Sequence, residues 1–280
     1  MKVAIFPNLS SPEAKTVTQG VIDFFKKNKI DVSAEEDIAK LFSIPMIENP
    51  DDLDFLISLG GDGSLLRIAH RFAENKAAIL GINLGHLGFM ADIPTEDIVA
   101  SLQDLINNKF SIDPRCMIDG KMPDGETHFA INDIVIHRAR NPSLIELAVY
   151  ANGTYLNSYK ADGLVIATPT GSTAYSLAAG GPIITPGCNG IVLTPISAHT
   201  ISNRPLVLPL DTNLEIRYLS SQDPIEVIFD GIVEKAMKTD EILQIGKSSK
   251  TFSLVNFPRH DYFTTLRTKL GWAGKLKTRY

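Results

Sequence analysis

The chain has 280 residues, 27 basic and 32 acidic side chains, a net charge of −5 and 44% hydrophobic content. That length holds one large or two ordinary domains with a sizeable core, and the hydrophobic share excludes a largely disordered chain. The acidic balance offers no electrostatic footprint for a nucleic acid or an acidic membrane, so a phosphate ligand would need locally placed cations.

The opening run, Met1-Lys2-Val3-Ala4-Ile5-Phe6-Pro7, reads as a strand start without the parts of a secretory signal, and no apolar run has membrane-spanning length. Cys116 and Cys188 stand far apart without metal-ligand spacing, which indicates neither a disulfide framework nor a zinc site. A cytoplasmic protein with reduced thiols is expected. Strand-like and helix-like segments then alternate: Lys2 to Phe6, Pro12 to Asn28, Phe55 to Leu59, Ser64 to Glu74 and Ala77 to Asn83. The alternation predicts a parallel α/β layer, which binds ligands at the carboxyl ends of its strands.

At one such end stands Gly60-Gly61-Asp62-Gly63-Ser64. Its glycines leave the backbone free for φ > 0 and for close approach of a ligand. Amid phosphate-binding backbone, a carboxylate is tolerable where it orients a hydroxyl, accepts its proton or holds a divalent cation. The following helix places Leu65, Ile68, Ala69 and Phe72 on one face and turns its N-terminus to the glycines, where an anion is favoured. The alternative is a tight strand-to-helix turn in which Asp62 caps the helix. A second glycine-rich loop, Gly81 to Phe89, is expected to flank the same crevice or to permit close packing.

From about residue 112 short strands and hairpin signals take over, with Asn152-Gly153 and Asp230-Gly231 as type I′ turns. Phe129 to Arg138 sets Asn132 and Asp133 in an apolar strand, where alternation puts them on opposite sides unless a bulge re-aims them. Either one points into a site, or the pair is a strand-end turn. The block Ala161 to Pro182 runs from an apolar strand through a hydroxyl-rich turn into a small-residue helix. Hydroxyls at Thr168, Thr170, Ser172 and Thr173 exceed what one helix cap requires, which points to contacts with a nucleotide's ribose or phosphates, and Tyr175 is placed to stack on a base. His70 and His199 read as hydrogen-bonded structural residues. Gly246-Lys247-Ser248 has Glu241 where a P-loop needs its first glycine, and Gly81, Gly85 and Gly88 miss the dinucleotide fingerprint, which disfavours a Walker NTPase and a Rossmann dehydrogenase.

Taken together, Gly60 to Gly63, Asn132-Asp133, Ala161 to Pro182, His199 to Leu206 and Tyr262-Phe263 through Leu266 to Leu270-Gly271-Trp272 resemble the NAD kinase family, in that family's order. The resemblance implies an α/β N-terminal domain, residues 1–110, and a mostly β, NAD-binding C-terminal domain, residues 111–257. The active site would lie between them and the tail 258–280 would pack back on the first. It implies NAD and ATP as substrates, with Asp62 as general base for the adenosine-ribose 2′-hydroxyl of NAD. Gly63 and Arg67 match substrate-holding positions. Asn132, Asp133, Ser143, Lys160, Asp162, Thr173, Ala174, Tyr175, Ser176, Leu177 and Ala178 match nucleotide-contacting ones. It also implies a divalent cation, Mg²⁺, accompanying ATP with no protein metal ligand assigned, and a homo-oligomer, dimer or tetramer, without nucleic acid or membrane. Asp133 stands where glutamate is more usual, Lys160 where arginine is frequent, and Ile232 where glutamine is common. A lipid or sugar kinase sharing the glycine-aspartate turn and a dinucleotide-sensing module are the alternative readings.

Overall fold

The computed structural model describes residues 1–10, 12–85, 87–200, 202–221 and 224–272. His86 of the second glycine loop, Ile201 and the tail residues 273–280 lie outside the described residues. The chain divides into two compact units, Met1–Pro114 with the stretch from Ser253 onward, and Arg115–Phe252.

The first unit begins with β1 (Lys2–Pro7), α1 (Pro12–Lys27), β2 (Asp31–Ala34), α2 (Glu36–Phe42), β3 (Phe55–Gly60), α3 (Asp62–Arg71), β4 (Ala78–Asn83) and α4 (Ile98–Ile106). Its strands pair in the order β2-β1-β3-β4, each parallel to its neighbour. All six residues of β3 and of β4 are buried, as expected of strands covered on both faces by crossover helices. The core joins Ile5, Ile57, Leu80 and Ile82 of the sheet to Val21, Ile22 and Phe25 of α1 and Leu102 and Leu105 of α4.

The second unit holds most of β5 (Ser111–Lys121), then β6 (Thr127–Ala130), β7 (Asp133–His137), β8 (Ile145–Ala151), β9 (Thr154–Ala161), β10 (Gly163–Ala167), the four-residue helix α5 (Tyr175–Ala178), β11 (Gly190–Ile196), β12 (Leu206–Pro209), β13 (Leu214–Tyr218), β14 (Ile225–Phe229), β15 (Val233–Met237) and most of β16 (Ile242–Asn256). Six strands form an antiparallel sheet in the order β12-β11-β10-β7-β14-β15. A second antiparallel path runs β16-β13-β8-β9, with β5 and β6 attached. Ile134, Ile166, Leu193 and Phe229 of the first sheet share one core with Leu147, Ile216, Tyr218 and Leu243 of the second. Asn152 (φ 50°) with Gly153 (φ 76°), and Asp230 (φ 51°) with Gly231 (φ 67°), adopt the left-handed conformations that type I′ turns demand.

The last strand leaves the second unit before it ends, and α6 (Tyr262–Leu270) follows in the first. Residues 253–257, expected in the second domain, lie in the first unit: Val255 and Phe257 are buried in its core, and Leu254 pairs in parallel with Ile79 of β4. The change of partner along β16 is set by packing.

Candidate active site

The parallel register pairs Leu59 with Ile82 and Gly60 with Asn83, so β3 and β4 end level and their following loops meet. Asp62 is the first residue of α3, and its side chain turns away from the helix. Its Oδ2 accepts the Phe89 N–H at 2.8 Å, and its Oδ1 accepts those of Met90 (3.0 Å) and Ala91 (2.9 Å). Gly61 is the N-cap and gives no side-chain cap, so the helix-capping alternative for Asp62 falls. A carboxylate has about four lone-pair sites. Three amides orient this one and leave it able to accept one further hydrogen bond.

The glycines serve close approach and open access, which corrects the expectation of positive φ. None of Gly60, Gly61 and Gly63 is left-handed. A Cβ on Gly60 would lie 2.6 Å from Ser64 Oγ, whereas one on Gly61 or Gly63 would meet nothing within 4 Å. A Cβ on Gly88 would lie 2.1 Å from Asp62 Oδ1, so the loop can wrap the carboxylate only with glycine there. Gly63 and Arg67, one helical turn apart, are both exposed. Asn8, Ser64, Arg67 and Arg71 line a cleft of about 280 Å³ in this unit, with Arg71 ion-paired to Glu35 at 2.5 Å.

In the second unit, Asn132 precedes β7 in a bend between β6 and β7, so strand alternation does not govern it. Asp133 is 5% exposed and accepts the Tyr175 main-chain N–H. Burial pushes its carboxyl up to about 7; the Asp230 charge adds to the rise and the Tyr175 N–H opposes it. The Asn132 carbonyl accepts the Thr168 N–H at 2.8 Å, and a Cβ on Gly171 would lie 2.0 Å from that carbonyl oxygen. Asn132, Asp133 and the 168–175 turn are thereby brought together.

The hydroxyls of that turn overturn the expectation of surplus ligand donors. Thr168 donates to the Ile131 carbonyl (2.5 Å), Ser172 donates to the Pro169 carbonyl (2.7 Å) and accepts the Ile184 N–H (3.0 Å), and Thr173 donates to the Thr170 carbonyl (3.2 Å); Thr170 accepts from Arg115 at 3.4 Å. Ser176 is wholly buried, its hydroxyl 2.8 Å from that of Thr194. These groups staple the turn, because a buried hydroxyl must find a partner. The expected helix is a 3-10 turn, Gly171–Thr173, followed by the single turn of α5, too short to aim a dipole at a phosphate. Tyr175 (42% exposed) and Ala178 reach solvent, and Ala174 and Leu177 are half-buried.

Asp162 is ion-paired with Arg138 Nε at 2.7 Å, and its carbonyl accepts the Arg138 N–H at 2.9 Å. Ser143 is exposed in the loop that follows Arg138, and Lys160 is exposed on β9 opposite Glu146. His199 is exposed and donates its main-chain N–H to the Lys160 carbonyl; His70 is half-buried. The sequence places the loop Gly81 to Phe89 beside the Gly60–Gly63 turn, but it does not show that the Phe89, Met90 and Ala91 amides hold Asp62, that Arg138 pairs with Asp162, or that Asp230 takes part, for which the Asp-Gly turn is the sole signal. Among the described residues no group of three or more His, Cys, Asp or Glu side chains could hold a metal ion.

Residues 3–110 match the family model for the ATP-NAD kinase N-terminal domain, and residues 131–257 that for the ATP-NAD kinase C-terminal domain. The NAD kinase of Protochlamydia amoebophila is 49% identical over 277 residues, 98% of this chain and 99% of that protein. That of Flavobacterium psychrophilum is 36% identical over 97% of this chain and 98% of its own length. Among solved structures, yeast NADH kinase complexed with NADH superposes with a TM-score of 0.90 at 26% identity, covering 100% of this chain and 90% of that one. An NAD kinase from Archaeoglobus fulgidus in complex with ATP shares the fold, with a TM-score of 0.76 at 24% identity over 98% and 100%.

Proposed function

The chain belongs to the NAD kinase family, and from that premise we propose that it transfers the γ-phosphoryl group of ATP to the adenosine-ribose 2′-hydroxyl of NAD. The products are NADP and ADP. The observation that carries the mechanism is the Asp62 carboxylate, oriented by three main-chain amides with one acceptor position left. That position accepts the 2′-hydroxyl. As the hydroxyl oxygen bonds to the γ-phosphorus, its proton passes to Asp62 and the bond from γ-phosphorus to the β,γ-bridging oxygen of ATP breaks. A loose phosphoryl-transfer transition state asks mainly for positioning and charge stabilisation.

Gly63 presents open backbone, and exposed Arg67 supplies a cation one helical turn on. Asn132, Asp133, Ser143, Lys160, Asp162 and the segment from Thr173 to Ala178 hold the dinucleotide, with NAD or its reduced form as the occupant that the NADH-bound yeast relative supports. Thr173 and Ser176, whose hydroxyls bond within the fold, can contribute main chain and shape. A divalent cation such as Mg²⁺ would be carried on ATP, since such an ion keeps to one or two carboxylates plus phosphate oxygens and needs no protein cage. When bound it neutralises phosphate charge. The same reading takes the protein as a cytoplasmic homo-oligomer, dimer or tetramer.

The test is NADP formation from NAD, ATP and Mg²⁺, read with an NADP-specific dehydrogenase. Product should vanish without ATP, and Asp62→Asn should keep its circular dichroism while kcat falls by roughly 10²- to 10⁴-fold. Near-normal turnover by the folded variant removes Asp62 from the role of base.

A further inference from the structure

Asp230, in the turn between β14 and β15, gathers the main-chain N–H groups of three successive residues about a hundred positions away. Its Oδ2 accepts from Ile131 at 2.7 Å, and its Oδ1 accepts from Asn132 at 2.7 Å and from Asp133 at 3.0 Å. Its own N–H donates to the Asp133 carbonyl at 3.0 Å. Thr168 holds the other side of the same bend, through its N–H to the Asn132 carbonyl and its hydroxyl to that of Ile131. Asp230 reaches the bend from a left-handed residue, φ 51°, a conformation aspartate and asparagine tolerate better than most side chains.

We propose that Asp230 is a positioning residue for the dinucleotide site: its carboxylate fixes the bend that presents Asn132 and Asp133, and its charge acts directly on the Asp133 carboxyl. This rests on the reading that Asn132 and Asp133 contact the dinucleotide. Two consequences separate it from an ordinary structural contact. Removing the acceptor leaves partly buried N–H groups unpaired and displaces Asn132 and Asp133, while the chemistry at Asp62 uses none of these groups. Removing the charge shifts the pH at which Asp133 titrates. The groups bearing on Asp133 are Asp230 and the Tyr175 N–H, and β10 sets uncharged Ala167 opposite it. Burial and Asp230 both disfavour its ionised form.

Asp230→Asn keeps the left-handed residue and one acceptor oxygen, but turns an amide NH₂ or an empty position toward one of the three donors and removes the charge. The experiment measures kcat and the KM values for NAD and ATP with the full-length protein between about pH 6 and 9, for the wild type, Asp230→Asn and Asp133→Asn. The wild-type KM for NAD should change through a transition near pH 7 that Asp133→Asn abolishes. In Asp230→Asn the KM for NAD should rise about tenfold, the loss expected when a hydrogen bond to a partly buried donor is removed. Its kcat and its KM for ATP should stay within about twofold, and the transition should move to lower pH. An unmoved transition, or equal changes in kcat and both KM values, overturns the proposal while the dinucleotide reading stands. A KM for NAD indifferent to Asp133→Asn at every pH overturns that reading and the proposal with it. Should Asp230→Asn fail to fold, Asp230→Ser, which also keeps an acceptor without the charge, is read the same way. A wild type with no transition between about pH 6 and 8 overturns the charge coupling by itself.

Discussion

Asp133 is a carboxyl taken almost wholly out of water with a second carboxylate acting on it, and its titration near pH 7 makes it a liability to the fold as well as a contact in the site. Its folded pKa is raised from 3.8 to about 7, so between those values the folded state holds a proton that the unfolded chain has released. The stability it contributes is complete below about pH 4, declines as pH rises and is lost above about 7. Asp133→Asn removes that dependence: its amide oxygen can still accept from Tyr175, and its NH₂ group can face the Asp230 carboxylate without repulsion. The variant should therefore be more stable than the wild type at about pH 8, by of the order of a few kcal/mol, and unfold at a higher temperature there, with little difference at about pH 4. Thermal unfolding at the two pH values checks this, and an equal offset at both would show that the carboxyl ionises freely in the fold. Asp62 and Asp230 share a different device. Each is a carboxylate clasping three consecutive main-chain amides of a remote loop, with opposite ends served: at Asp62 the amides orient the acid, and at Asp230 the acid orients the backbone.

The C-terminal helix α6 shows how an element with little burial can govern a site. It is capped by Asp261, which accepts the Thr264 N–H at 3.0 Å, and closed by Gly271 at φ 62°, yet it buries only Thr265 and Leu266. Tyr262 lies against Phe89 at 6.3 Å between ring centroids, and Lys269 Nζ donates to the Leu87 carbonyl at 2.6 Å while lying 4.8 Å from the Phe89 ring centroid. Both residues that flank Gly88 are thus tied to α6, and Phe89 supplies one of the amides on Asp62. Lys269→Met should loosen the cradle: the amides of Phe89, Met90 and Ala91 should exchange with solvent faster by a factor of about five, the worth of one exposed charge-assisted contact. Hydrogen exchange followed residue by residue reads this, and unchanged rates would reduce α6 to a passenger. Elements of this kind are hard to see in a sequence. β1, β3, β4, α1 and α3 announce themselves through apolar periodicity, and the hairpins through Asn-Gly and Asp-Gly, because those signals are local. Whether Gly88 faces Asp62, whether Asp230 reaches the bend at 131–133 and whether the Thr168 to Ser176 hydroxyls face a ligand or one another depend on pairs 27 to 99 residues apart for the carboxylates and 37 for Thr168. The residue types of the site were legible, and their partners were not.

Across the whole molecule the two cores differ in how the chain supplies them. Every buried residue of the second unit's main core falls between Ile118 and Ile245, a single continuous stretch. The first unit's core draws on Val3 to Leu105 and then on Val255 and Phe257, which return after the entire second unit has been threaded through. Phe257 is 2% exposed and Val255 7%, and Leu254 gives β4 a parallel neighbour at Ile79. A chain cut after Pro114 would lose a buried Phe, worth roughly 3–5 kcal/mol, and bare the edge of a strand whose six residues are all buried. The fragment 115–252 should therefore unfold cooperatively as a monomer when expressed alone. The fragment 1–114 should aggregate, and joining it through a short flexible linker to residues 253–280 should restore a soluble, cooperative unit. Denaturant unfolding and light scattering on the three pieces decide the matter. A monomeric, cooperative 1–114 would mean that β4 and α1 close the core without the returning strand, and the role of Val255 and Phe257 would then be local. Insolubility of 1–114 with rescue by 253–280 would mean that the α/β unit, and with it the Asp62 cradle, cannot complete itself until the β-rich unit has already been made.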